Sequence, residues 1–383
     1  NAPAKVTAFI STIIEIAKNY NFSKESFYLA SVRSFQEANN NYFDDLEQAV
    51  LKFAKTYQVD LTKPLKSVEL EEILIEEYGY TINTTELTSH TELDNLRSVF
   101  VPKTKTLLLA RHIDDAQKTF IYAKEIAYNY LEISERLYTF SWIKFENFDQ
   151  VLNNFYASYF AGALIIPRAS LVADLKALFS KKSFKTKDFE RIISNYNASP
   201  ESIYQRLTNI LPKDFNLKSL FFLRFSHQKG SNHFKLNKEL HLSKQQSPHA
   251  NETNQHYCRR WASLKVLEQI SKSNKPHEFD IQVSNYPNEG KSYLVLSSAT
   301  SDPFVSNSYR SVNIGIQINS QLKRKINFAE SASIPKAQVG VTCECCVISD
   351  CEVRQAQPTS IMSAQKDAKI ADVVNKIQEK YSK

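Results

Sequence analysis

The sequence predicts an α+β protein, a helical first part followed by a mixed α/β part that carries a cysteine cluster. Three observations lead there. Apolar residues recur at three- and four-residue spacing up to about position 210, the period shortens to alternation beyond Leu217, and only 6 of the 383 residues are glycine. So little glycine favours helix over open sheet. At roughly 150 residues per domain, the length predicts two or three domains with a large core. An apolar fraction of 42% and a charged fraction of 23%, with 24 Phe and 19 Tyr, exclude a disordered or fibrous chain.

Taken in order, Val6, Phe9, Ile10, Ile13, Ile14 and Ala17 open a pattern of two or three amphipathic helices over residues 3–57, with Asn21, Ser23 and Asn41 at helix starts. Residues 65–78 continue as helix, and residues 80–83 and 98–109 alternate like a short two-stranded ribbon. Helices follow over 114–137, 148–164 and 170–179, the second closed by Pro167 because proline disfavours helix in the residue before it. Residues 187–194 and 200–210 form a helix pair joined by a turn over 195–199. Only about four basic side chains flank its second helix, so a packing unit of a helical subdomain is preferred to a DNA-reading motif. Strands are expected over 219–225, 279–283, 292–298 and 312–319, with long polar loops over 226–256. An amphipathic helix over 363–381 ends the pattern, to pack on the body or pair with a partner chain.

The net charge of +7 is spread over small clusters such as Lys181, Lys182, Lys185 and Lys187, which favours phosphate-bearing partners, nucleic acid or nucleotide-like cofactors alike. No run of about 18 apolar residues occurs, and residues 6–16 form a helix face broken by Thr and Ser rather than a signal segment, so the cytoplasm is the expected address.

The strongest local signal is Cys343-Glu344-Cys345-Cys346 followed by Cys351, with Cys258 alone upstream. Thiolates at such gaps on a loop can converge on one metal or cluster while backbone amides stay free to hydrogen-bond them. Read as Cys343-x-x-Cys346-x4-Cys351 with Cys258 as a distant fourth ligand, the set suits a [4Fe-4S] cluster or a structural zinc, and Cys345 is spare. A disulfide pair and plain reduced cysteines stay open beside it, although 5 cysteines leave an odd thiol. His227, His233, His241, His249 and His256 share no ligand spacing and are expected to be solvated loop residues.

On the helix through Tyr122, Lys124 and Tyr128 stand where a His-Glu-x-x-His zinc peptidase places its two ligands, around Glu125. Neither an ammonium nor a phenol holds zinc well, so Glu125 has no metal-bound water to deprotonate, and the expectation is a surface Lys–Glu pair. Further on, Tyr156, Tyr159, Phe160 and Arg168 can line a ligand slot with a cation for a phosphate, although core packing is the better account of the rings. No Gly-rich phosphate loop and no nucleophile elbow occur.

The stretch Ala157-Ser158-Tyr159-Phe160-Ala161-Gly162-Ala163-Leu164 with Pro167-Arg168, the segment Tyr257-Cys258-Arg259-Arg260-Trp261, and Gly340-Val341-Thr342-Cys343-Glu344-Cys345-Cys346 through Asp350-Cys351 together resemble the short-chain fatty acyl transcriptional regulators. The resemblance runs from about Ser34 to Pro358. It implies a helical connecting region over 1–79, an ImmA/IrrE-like degenerate peptidase domain over 80–215, a GAF-like α/β domain with the cysteine cluster over 216–358, and a terminal helix over 359–383. It also implies no enzymatic activity. The implied function is sensing: acyl-CoA in the old catalytic cleft, held by Tyr156, Tyr159, Phe160 and Arg168, and a [4Fe-4S] cluster, with zinc as the alternative, on Cys258, Cys343, Cys346 and Cys351. DNA would be reached through a helix-turn-helix domain expected to lie outside this chain, in a homodimer that needs no membrane. The third peptidase ligand position falls on Asn154, so zinc hydrolysis is not expected. An ImmA-like zinc peptidase and a zinc-stabilised protein-interaction module are the alternatives. The long polar loop before Cys258 and the extra thiol of Cys345 depart from the family pattern.

Overall fold

The computed structural model describes residues 24–140, 145–242, 256–273 and 275–381. They form a mixed α and β structure in two compact units. Unit 1 is the chain up to Ser170 together with Asn195–Ser199, and unit 2 is Leu171–Ser194 and everything from Pro200 onward. The sequence boundary drawn at 216 therefore falls inside unit 2.

Unit 1 contains helices α1 (Lys24–Ala38), α2 (Asp44–Thr56), α3 (Ser67–Glu76), α4 (Asp115–Tyr130) and α5 (Phe148–Ile165). The expected starts at Asn21 and Ser23 lie outside the described residues. Asn41 ends a helix rather than starting one: it is left-handed at φ 50°, its amide donates to the Gln36 carbonyl at 2.7 Å, and its side chain accepts from Gln36 at 3.1 Å. Helix α4 starts on a reciprocal cap, Asp114 accepting from the Gln117 amide at 2.8 Å while Gln117 accepts from the Asp114 amide at 3.3 Å. It is the central helix of the unit, buried without a break from Ile121 to Tyr128. Helix α4 ends at Tyr130, seven residues before the sequence pattern does, because Glu132 turns the chain at φ 54°. On α5 the ring of Phe160 packs against Phe53 of α2 at 5.7 Å and Tyr130 at 5.9 Å. Pro167 follows the end of α5, as the residue-before-proline restriction requires.

The expected two-stranded ribbon is a four-stranded sheet. Strands β1 (Thr81–Asn83), β2 (Ser98–Val101), β3 (Thr106–Leu109) and β4 (Thr139–Phe140) lie in the order β1-β3-β2-β4, with β1 parallel to β3 and the other pairs antiparallel. β4 is only two residues long, too short for a periodic signal.

Helix α6 (Arg168–Phe179) crosses the unit boundary. Unit 2 then holds α7 (Thr186–Ser194), α8 (Pro200–Asp214), β5 (Leu220–Gln228), β6 (Phe234–His241), α9 (Ala262–Lys272), β7 (His277–Tyr286), β8 (Lys291–Ser301), β9 (Ser308–Gln317), α10 (Ser320–Lys325), β10 (Lys336–Gln338) and α11 (Thr359–Tyr381). The sheet order is β10-β7-β8-β9-β5-β6, antiparallel except where β10 joins β7 in parallel. All four expected strands are present. The expected long loop over 226–256 instead contains β6, whose register slips by one residue between Arg224 and Phe225, a bulge that hides its alternation.

Both faces of the sheet are covered. On one side α9 buries Leu264, Leu267 and Ile270 against Leu223, Phe225, Val295 and Ala299. On the other, Tyr204 of α8 shares a hydrogen bond with Ser298 of β8 at 2.8 Å, and Phe189 of α7 meets Phe279 of β7 at 5.3 Å. The α7–α8 pair is thus a packing unit, but on a sheet rather than in a helical subdomain, and α8 is buried from Ile203 almost continuously to Pro212. Gly315 has a specific use: a Cβ there would lie 2.2 Å from the Phe221 ring, which crosses the strand at that point. Helix α11 buries none of its residues.

Candidate metal centre

The cysteines are brought together by a two-residue strap. Tyr257 forms an isolated antiparallel bridge with Thr342. Across it the Cys343 amide donates to the His256 carbonyl at 2.8 Å, and the Cys258 amide donates to the Val341 carbonyl at 3.1 Å. Trp261 adds a third tie, its indole N–H donating to the Gly340 carbonyl at 2.9 Å. These bonds place Cys258 beside a loop 85 positions later in the chain.

Cys258, Cys343, Cys346 and Cys351 line one cleft, walled on its apolar side by Ile348 and Val353 and flanked by Arg259 and Arg354. The first three cysteines are buried, Cys351 is half-buried, and all are free thiols. Cys345 is not among the cleft-lining residues. Its thiol lies 3.3 Å from the Thr342 hydroxyl and 3.6 Å from the Thr342 carbonyl. Burial pushes the Cys258 thiol up from its ordinary pKa, and the neighbouring Cys346 and Cys343 add to this, while the Gly340 and Arg260 amides pull the other way. The Gln355 amide points at the Cys343 sulfur from 3.4 Å. Amides aimed at sulfur stabilise thiolate, the form that binds metal.

This donor set fits a thiolate-bound centre. Backbone passes tightly over it, since a Cβ on Gly340 would lie 2.7 Å from the Cys346 sulfur. Among the described residues no group of three or more His, Cys, Asp or Glu side chains stands at single-ion spacing. A [4Fe-4S] cluster, which binds each thiolate to a different iron, holds its sulfurs farther apart than one tetrahedral zinc does.

Two of the expected loop histidines, His227 and His241, are buried in strands rather than solvated. His256 accompanies the cysteine strap: its Nδ1 lies 2.8 Å from a Glu344 oxygen and its amide donates to that carboxylate at 3.1 Å. Burial opposes ionisation of Glu344, but the His256 contacts outweigh it and hold the carboxyl below the usual range. His249 lies outside the described residues.

In unit 1 the expected surface Lys124–Glu125 pair is neither on the surface nor a pair. Both residues are buried. Glu125 instead takes Arg136, whose Nη2 donates to both carboxylate oxygens at 2.6 Å, and Tyr80 donates to Glu125 at 3.0 Å. The Arg136 guanidinium lies over the rings of Tyr128 at 4.0 Å and Phe100 at 4.4 Å. Lys124 donates to Asn154 Oδ1 at 2.6 Å, and the Tyr128 hydroxyl reaches the same oxygen at 3.4 Å. The three positions singled out from the sequence therefore meet at one atom. Arg136 escaped notice because it lies beyond the end of α4 and no motif contains it.

The four proposed ligand-slot residues are only partly gathered. Tyr159 packs on Phe43 at 5.5 Å, gives its hydroxyl proton to Glu47 at 2.8 Å and accepts from the Phe43 amide at 3.2 Å. Tyr156 approaches the same Phe43 ring at 6.4 Å. Phe160 lies on another face, in the core with Phe53 and Tyr130, while Arg168 stands 5.4 Å from the Tyr42 ring.

The described residues thus form a helix-covered sheet with a strapped cysteine cleft, and no helix among them is long and apolar enough to cross a membrane. Residues 240–374, which include all five cysteines, match the family model described as short-chain fatty acyl coenzyme A regulator, C-terminal. The matched segment is thereby similar to the C-terminal part of regulators of the short-chain fatty acyl type. Among solved structures, a Mycobacterium tuberculosis transcriptional regulator is similar in fold, with a TM-score of 0.60 and 18% sequence identity over 86% of this chain and 93% of that one. The family is described as a regulator and this neighbour as a transcriptional regulator. No curated protein matches the chain.

Proposed function

We propose that the chain is the ligand-sensing region of a transcription regulator that carries a [4Fe-4S] cluster on Cys258, Cys343, Cys346 and Cys351 and binds an acyl-CoA. The observation that carries the reading is the convergence of these four thiols on one cleft, with the Gln355 main-chain amide directed at the Cys343 sulfur. When bound, the cluster would supply a redox-sensitive anionic centre that ties the loop of residues 343–351 to the strap at Cys258. The description of the matched family supports an acyl-CoA as the ligand.

Unit 1 supports the rest of the proposal. Lys124, Tyr128 and Asn154 gather as the ligand positions of a His-Glu-x-x-His peptidase would, which is the reading of a degenerate ImmA/IrrE-like domain whose former cleft accepts the ligand. Tyr156, Tyr159 and Arg168 remain the proposed contacts, with Phe160 as their core support. The α/β part of unit 2 is read as GAF-like. Ligand binding changes DNA affinity of a linked helix-turn-helix domain only by preferring one arrangement of the regulator, here taken as a homodimer.

Anaerobic purification followed by iron, sulfide and zinc analysis, with mass spectrometry for a co-purified CoA ester, tests the proposal. Iron and sulfide in near-equal amounts are expected, together with a CoA ester. Absence of iron, combined with no effect of Cys343→Ser or Cys351→Ser, overturns the cluster, and zinc in its place assigns the same thiols to a structural ion.

A further inference from the structure

We infer that Arg354 is the positioning residue of the cysteine centre, fixing the loop that carries Cys343 and Cys346 and setting a positive charge against it. The inference rests on the reading of the four thiols as a metal or cluster site. One guanidinium reaches four main-chain carbonyls. Its Nη1 donates to Cys343 at 3.1 Å and to Ala356 at 3.5 Å, and its Nη2 donates to Cys346 at 3.5 Å and, in a short contact, to Ile348. Three of those carbonyls belong to the loop, and two belong to proposed ligands themselves.

Two other side chains each reach one loop carbonyl, Asn288 donating to Cys345 at 3.3 Å and Arg260 to Asp350 at 3.5 Å. Residues 346–353 contain no strand or helix, and their main-chain bonds are short-range turns such as Cys346 to Cys343 at 3.3 Å and Arg354 to Cys351 at 3.2 Å. A planar fork with five N–H donors can bridge carbonyls on both arms of such a loop, which a lysine ammonium cannot reproduce from the same stem. The residue also sits next to its own lever, because the amide of the following Gln355 is the one that points at the Cys343 sulfur.

Charge points the same way. Arg354 is half-buried, lines the cleft with the four thiols, and has no carboxylate within ion-pair distance among the described residues. Arg259, the other cation of the cleft, is already engaged by Glu268 at 3.6 Å. A partly buried cation without an acidic partner is costly beside neutral thiols. Four thiolates around either a [4Fe-4S] cluster or zinc carry net negative charge, which Arg354 offsets.

The test compares the full chain with Arg354→Lys, which keeps the charge and loses the fork, and Arg354→Gln, which loses the charge. Circular dichroism and thermal unfolding first establish that both variants are folded. In metal-free protein, alkylation of Cys343 and Cys346 is read by mass spectrometry, and both variants should react faster by on the order of tenfold, the effect of losing a charged hydrogen bond that holds the loop closed. In anaerobically loaded protein, Arg354→Gln should move the cluster's midpoint potential to more negative values, because removing a positive charge disfavours the more reduced, more negative cluster. Arg354→Lys should leave the potential nearly unchanged while the visible absorbance decays faster in air. Unchanged alkylation in both variants overturns the positioning role, and an unchanged potential in Arg354→Gln overturns the charge role. A parent chain that binds neither iron nor zinc would defeat the underlying metal reading instead, and the alkylation rates would still judge the loop.

Discussion

The Cys258 amide donates to the Val341 carbonyl at 3.1 Å, two residues before Cys343. That single main-chain bond, paired with the one from Cys343 to His256, sets the distance between the isolated cysteine and the clustered ones. It does so without using either thiol. The strap can therefore present its sulfurs before a metal arrives, provided the loop backbone is not displaced.

Gly340 is the point where displacement is easiest to provoke. Its missing Cβ leaves room for the Cys346 sulfur, which would otherwise lie 2.7 Å away. Gly340→Ala is expected to cost about 1–3 kcal/mol through overpacking and to lower the iron content of anaerobically purified protein. Thermal unfolding and metal analysis check both. Cys345→Ser, by contrast, should leave metal content unchanged, since that thiol faces Thr342.

In unit 1 the buried Glu125–Arg136 pair makes a sharper stability prediction. Both side chains are 8% exposed, so Glu125→Ala leaves a guanidinium without its counter-charge in an aromatic sandwich. The expected cost is about 3–5 kcal/mol in urea unfolding, whereas replacing both residues by apolar ones of similar volume should recover much of it. A single-variant cost below about 1 kcal/mol, the scale of an exposed pair, would mean that water reaches the pair in solution.

Asp115 predicts a pH dependence. Burial opposes its ionisation, but Ser67 at 2.5 Å and Asn197 at 2.5 Å donate to its carboxylate and hold it below the usual carboxylate range. A depressed folded-state pKa gives stabilisation that is full above the unfolded-state value and lost as pH falls through the folded-state value. Between about pH 6 and about pH 3, the parent should therefore lose more stability than Asp115→Asn does. Urea unfolding at the two pH values measures the difference, and equal losses would remove Asp115 from the account.

The meeting of Lys124, Tyr128 and Asn154 predicts a gain of function. The triple variant Lys124→His, Tyr128→His and Asn154→Glu restores the ligand types of a zinc peptidase at positions that already share an atom. Stoichiometric zinc is expected in the folded triple variant with the cysteine site left unloaded, and none at unit 1 in the parent. A folded variant that binds no zinc there would count against the degenerate-peptidase reading.

The sequence by itself determined the class of fold and the thiol set. Helical period, then alternation, then four cysteines within nine residues are properties of local order, and each survives into the structure because neighbouring residues dictate it. Local order could not reveal β4 or β6, the first too short and the second broken by a bulge. It also misplaced Lys124 and Glu125, because burial of a charge depends on a partner that arrives from elsewhere: Arg136 beyond the helix end, Asn154 from α5. The same holds at the cleft. That Cys345 turns to Thr342 and that one arginine gathers four carbonyls were decided by tertiary structure alone. Spacing along a chain limits which groups can meet, but main-chain pairing and packing choose among them, here through a strap that joins two segments 85 positions apart.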